Sequence, residues 1–143
     1  MTRQPGGRIV VGVDGSPASR AAVRWAARLA GLSGAPLEAV TVWDFPCLYG
    51  EHGFVPPALD GFGPERRAAE ILDETLTACP AGLTVRRHLA AGAPGPTLVA
   101  AAEGAAALVV GGRGRCAPPG VLLGTVSQYC LHHAGCPVVV VRA

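Results

Sequence analysis

The segment Gly111–Ser127, GGRGRCAPPGVLLGTVS, contains five glycines, two arginines and two hydroxyl side chains, with no carboxylate. Glycines let backbone N–H groups approach a ligand closely, and successive N–H groups in such a turn form an anion-binding nest. A helix expected from Gly124 would add its free first-turn N–H groups and the positive end of its dipole. Thr125 and Ser127 supply hydroxyl donors, and Arg113 and Arg115 supply charge. A charge-assisted hydrogen bond contributes ~1.5–3 kcal/mol, so a few of them support micromolar binding of a phosphate-bearing ligand after the costs of association.

The charge distribution agrees with this chemistry. All twelve basic residues are arginine, which removes lysine Schiff-base chemistry and the Walker-A lysine together. From Gly104 to Ala143 there are three arginines, two histidines and no acidic side chain, so this portion tolerates an anion. A net charge of +2 does not suggest a nucleic-acid binder. Five cysteines without a C-x-x-C pair argue against a disulfide framework and a zinc site, leaving reduced thiols. Cys116, beside Arg113 and Arg115, is the one placed to favour thiolate. Adjacent His132 and His133 face different directions on a helix and make a poor metal pair.

The elements that must position the loop follow from periodicity. The apolar run Arg8–Val13 reads as a buried strand, and Leu37–Trp43, Leu83–Leu89, Ala107–Val110 and Pro137–Val141 read as four more strands. Ser16 reads as an N-cap with Pro17 at the first helical position, opening a helix to Leu32. Arg20, Arg24 and Arg28 form a stripe on its solvent side. Asp44–Gly63 reads as a long loop carrying Glu51 and His52. Pro64–Cys79 reads as a helix with Ala68, Ile71, Leu72 and Leu76 inward and Arg66 paired with Glu70. Pro94 to near Gly104 and Gly124–Ala134 complete the helices.

Regular strand–helix alternation predicts a single α/β domain over 1–143, a three-layer sandwich with a parallel sheet and four helices. Ligands in such sheets bind beyond the carboxyl ends of the strands, where the strand order reverses. The chemically loaded turns follow the first strand, at Asp14-Gly15-Ser16, and the fourth, at Gly111. The strand-sized apolar runs are too short to span a membrane, and MTRQPGGRIVVGVDG lacks a secretory h-region. A cytoplasmic protein with neither membrane nor nucleic-acid partner is the expectation.

Gly112–Ala117 matches G-x-G-x-x-A on paper, but Pro118-Pro119 forbids a helix there and no acid follows at the Rossmann distance. A different spacing fits. Gly111-x-x-Gly114, nine residues, then Gly124-Thr125 resembles the nucleotide signature G-x-x-G-x9-G-[ST] of the universal stress protein family. IVVGVDGSPAS, Gly92-Ala93-Pro94, LVVGGRGR and LLGTVSQYCLHHAGCPVVVVR resemble the same family over nearly the whole chain. The resemblance implies a five-stranded sheet in the order 3-2-1-4-5, similar to the adenine nucleotide alpha hydrolase-like fold.

Members with this signature bind ATP, so the resemblance implies ATP as ligand, with Mg²⁺ reachable through Asp14. Gly12, Val13 and Asp14 match positions at the adenosine end, and Val42 matches the residue packing on adenine. Val110, Gly111, Arg113, Gly114, Gly124, Thr125 and Val126 match the ribose and phosphate loop. It also implies a homodimer through the C-terminal strand, 137–142, and a regulatory role in the stress response. Gly112 replaces a usual Ser, Cys116 a usual Gly and Ala107 a frequent Asp, and Ala117-Pro118-Pro119 stiffens the loop. Two alternatives stay open: a slow ATPase, and a nucleotide-free interaction module of the same fold.

Overall fold

A computed structural model describes residues 7–43, 63–114, 120 and 122–143. The elements alternate strictly: β1 (Ile9–Gly12), α1 (Pro17–Ser33), β2 (Leu37–Trp43), α2 (Pro64–Leu76), β3 (Val85–Ala91), α3 (Pro94–Ala101), β4 (Ala107–Gly111), α4 (Thr125–His133) and β5 (Val138–Val141). All pairings are parallel and the order is β3-β2-β1-β4-β5. The expected α/β sandwich is the fold observed.

Strand alternation divides the core between the two sheet faces. Val11, Leu37, Ala39 and Val109 point toward α1 and α2, meeting Val23, Ala26, Ile71 and Leu72. Val10, Val40, Leu108 and Val110 point the other way, meeting Leu98 of α3 and Cys130 of α4. Burial pushes the Cys130 thiol up to about 11, with Cys136 adding to the shift, so it is a protonated apolar filler. Arg20, Arg24 and Arg28 lie exposed as expected, and Ala68, Ile71, Leu72 and Leu76 are buried.

Local chemistry sets the boundaries. The Ser16 side chain accepts from Ser19 N–H, Pro17 begins α1, and Gly34 ends it at φ 77°. The second helix was expected to run to Cys79, but it tightens after Leu76, where Thr77, Ala78 and Cys79 N–H groups bond carbonyls three residues back. The third strand begins at Val85 rather than Leu83, because its partner β2 begins at Leu37 and the register pairs Val85 with Leu37. Gly124 caps the last helix instead of belonging to it.

Glu38, on the interior strand β2, is 8% exposed, and its carboxylate is held by Arg8 at 2.9 Å and Arg86 at 3.4 Å. Arg8 also donates to Ala101 and Glu103 carbonyls at the C-terminal end of α3, at 2.8 and 2.9 Å. One guanidinium therefore neutralises a buried acid and caps a helix.

The helices approach the sheet closely where glycine permits. A Cβ on Gly111 would lie 2.7 Å from the Ala18 carbonyl carbon and 2.9 Å from Ser19 N, both backbone. Gly31, on exposed α1, has open space around its Cα. Gly111→Ala is therefore expected to cost about 1–3 kcal/mol of overpacking. Gly31→Ala is expected to gain about 0.5–1 kcal/mol from helix propensity. Urea denaturation midpoints of the two variants check both signs.

Candidate nucleotide site

β1 and β4 are neighbours in the sheet, with β2 and β5 on their outer sides. The strand order reverses between them, so their carboxyl ends frame the crevice where ligands of open α/β sheets bind. Gly12, Val13 and Asp14 leave β1 there; Val110, Gly111, Arg113 and Gly114 leave β4. Val42 sits near the end of β2, on the other side of β1, and Val13 N–H bonds Val40 C=O at 2.8 Å. The expected site residues, scattered over the chain, are thus brought to one end of the sheet.

Two of these glycines face the protein itself. A Cβ on Gly12 would stand 2.9 Å from Leu98 Cδ1, so this position lets α3 cross the end of β1. Gly111 does the same for α1 and β4. Val13 and Val110 are buried in opposite faces of the core. These four residues fix the crevice floor.

The turn after β1 is a local network. Asp14 Oδ1 accepts from Ser16 N–H at 2.9 Å, while Ser19 Oγ accepts from Asp14 and Gly15 N–H groups at 3.3 and 3.2 Å. Ser16 Oγ donates to the Arg113 carbonyl at 3.4 Å, which ties this turn to the loop after β4. The other carboxylate oxygen, Asp14 Oδ2, would be 2.6 Å from a Cβ on Gly114. Only glycine lets the loop backbone come this near the carboxylate.

The loop after β4 is pinched at its neck. Gly124 N–H donates to Gly112 C=O at 2.7 Å, and a Cβ on Gly124 would stand 3.5 Å from Gly114 N. Ser127 was expected to offer its hydroxyl to a ligand. Instead it is 2% exposed and its Oγ donates to the Gly111 carbonyl at 2.7 Å, with the Gly112 carbonyl at 3.1 Å. Inside the first turn of α4, the nearest acceptors are the carbonyls of the neck. Thr125, two residues earlier, is exposed, and Val126 packs partly into the core.

No side chain caps α4, because Gly124 occupies the N-cap position. The first-turn N–H groups of Thr125 and Val126 therefore lack intrahelical acceptors and keep their positive field beside Gly114. A phosphate suits this donor set. Cys116, Arg115 and Pro118-Pro119, and the loop with Glu51 and His52, lie outside the described residues. Among the described residues no group of three His, Cys, Asp or Glu could hold a metal ion, and no helix is long and apolar enough to cross a membrane.

The network also held residues that sequence reading passed over. Ser19 was legible only as a helix position, although a hydroxyl three residues after an N-cap is a recognisable turn partner. Ser127→Ala removes the donor from two carbonyls at the neck. It is expected to cost about 1–2 kcal/mol in urea denaturation, whereas a ligand-facing hydroxyl would leave the free protein's stability unchanged.

The family model of the universal stress protein family matches residues 7–142. A universal stress protein of Mycobacterium tuberculosis is 37% identical over 147 aligned residues, covering 94% of this chain and 47% of that protein. The chain spans about half the length of the curated relatives it matches. Among solved structures, the universal stress protein UspA from Lactobacillus plantarum superposes with a TM-score of 0.69 at 26% identity, covering 98% of this chain and 100% of that one. A universal stress protein solved in complex with cAMP superposes at 0.62 with 28% identity, covering 96% and 98%. A matching family model over nearly all residues, the five-stranded 3-2-1-4-5 sheet and the glycine neck agree: this chain belongs to the universal stress protein family.

Proposed function

We propose that this chain is an ATP-binding universal stress protein that works as a homodimer, a nucleotide-dependent regulator of the stress response in the cytoplasm. The observation that carries the nucleotide reading is the uncapped N-terminus of α4 beside Gly114, across from Asp14 at the switch point. The cAMP complex of a relative supports an adenine ligand in this fold.

The residues fit the ligand. Asp14, Val13 and Val42 would hold the adenosine end, with Gly12 and Val110 setting the floor. Gly114, Thr125 and Val126 would present backbone N–H groups to the phosphates, Gly111 and Gly124 would let the backbone come close enough for them to do so, and Arg113 would add charge. Bound ATP supplies a phosphate chain whose negative charge the acid-free loop accepts, and Asp14 could share a Mg²⁺ with it. Ser16, Ser19 and Ser127 act on the ligand only by holding the two turns in place.

Calorimetric titration of nucleotide-stripped protein is expected to give micromolar ATP binding at one site per chain. Gly114→Asp, which puts a second carboxylate against Asp14, is expected to weaken it by more than about tenfold. Unchanged affinity in a folded Gly114→Asp variant would place the nucleotide elsewhere.

The dimer reading rests on β5. Its four valines are only half-buried, and it forms an open edge of the sheet. Leu108 and Gly112 N–H groups bond the carbonyls of Pro137 and Val141, so alternate residues 137, 139 and 141 face β4 while 138 and 140 face outward. Val140→Pro deletes one outward N–H and no β4 bond. Sedimentation is expected to give twice the chain mass for the wild type and a shift toward monomer for Val140→Pro. A wild-type monomer at all concentrations would remove the dimer reading.

A further inference from the structure

Beside the neck of the loop lies a cavity of about 150 Å³, lined among the described residues by Ala18, Gly112, Arg113, Leu122, Arg142 and Ala143. On the same measure a single water needs only ~10–15 Å³, so a phosphate group with hydrating water fits. The parallel register places its two arginines together. Gly111 pairs with Val141, and Gly112 N–H bonds the Val141 carbonyl at 2.8 Å, so Arg142 emerges beside Gly112 and Arg113 follows directly. The Arg142 stem lies against Gly112, its Cγ 3.4 Å from where a Cβ would stand.

This pocket sets two arginines in one concavity. Arg8 and Arg86 are held by Glu38, Arg67 by Glu70, and Arg87 by Asp73. Neither Arg113 nor Arg142 makes a side-chain ion pair or hydrogen bond with a described residue. Ala143, also in the lining, forms no ion pair with either. Two guanidinium groups sharing one concavity repel unless an anion lies between them. Among the described residues no acidic side chain pairs with either of them.

We propose that Arg142, together with Arg113, forms a subsite for the distal phosphates of the bound nucleotide and thereby selects a nucleoside triphosphate over the monophosphate. The inference rests on the nucleotide reading above. Phosphates held at Gly114 and the start of α4 would extend past Gly112, where Arg142 stands. Arg113 lies on both sides of this boundary and so serves either subsite. Arg142 belongs to the distal one alone.

The test is calorimetric titration of the full chain with ATP, AMP and inorganic tripolyphosphate, for the wild type, Arg142→Gln and Arg24→Gln. Arg24, on the exposed face of α1, controls for the loss of one positive charge. Arg142→Gln is expected to weaken ATP and tripolyphosphate by about tenfold and AMP by less than about twofold, as for loss of one charge-assisted bond. Arg24→Gln is expected to leave all three within about twofold. Equal weakening of ATP and AMP in Arg142→Gln, or unchanged ATP affinity, would overturn the subsite while leaving the nucleotide reading intact. A wild type that binds tripolyphosphate through Arg142 but neither nucleotide would keep the subsite and remove that reading. Binding of none of the three would remove both.

Discussion

Everything at the carboxyl end of this sheet depends on how near α1 comes to β4. Gly111 leaves no side chain between its own backbone and the first turn of α1, and backbone meets backbone there. This approach holds Ser16 near the Arg113 carbonyl and Asp14 near Gly114. A larger residue would push the helix outward and widen the crevice between the two turns. Packed interiors transmit such a displacement rather than absorb it, so one missing methyl group sets the dimensions of a site several residues away.

The neck of the loop turns that proximity into a donor array. Gly124 closes it with one backbone hydrogen bond, and Ser127 reaches back from inside α4 to the same pair of carbonyls. The Gly111 and Gly112 carbonyls are thereby engaged at the neck, and Gly124 has no side chain with which to cap the helix. The result is a helix end whose positive field is directed outward. It lies in a part of the chain that carries no acidic side chain after Glu103, and the carboxylate that stands near it, Asp14, comes from the turn after β1.

The two edges of the sheet are treated differently. On β3, Arg86, Arg87 and His88 are exposed, and Arg86 pairs with buried Glu38 while Arg87 pairs with Asp73. Charged side chains discourage another strand from docking on that edge. On β5 the outer edge is four consecutive half-buried valines without a charge among them. The sheet is thus guarded at one side and apolar at the other, an asymmetry that gives association a direction.

The sequence by itself determined the element order, the parallel sheet, the exposed arginine stripe on α1 and the two loaded turns, because these follow from local periodicity, caps and glycine spacing. The resemblance to the universal stress proteins added the strand order, which local patterning cannot supply. Tertiary structure alone decided which polar groups are used up inside the protein. Ser127 looks like a ligand donor in the chain but is consumed by carbonyls of Gly111 and Gly112, fifteen or more residues away in sequence. Glu38 is buried on β2 only because Arg8 and Arg86, from the segments on either side of it, reach its carboxylate. Arg142 reads as a charged residue after the last strand, and only the register of β5 on β4 sets it beside Gly112. Each of these outcomes depends on distances between segments remote in the chain. Those distances are fixed by packing, which no local spacing encodes.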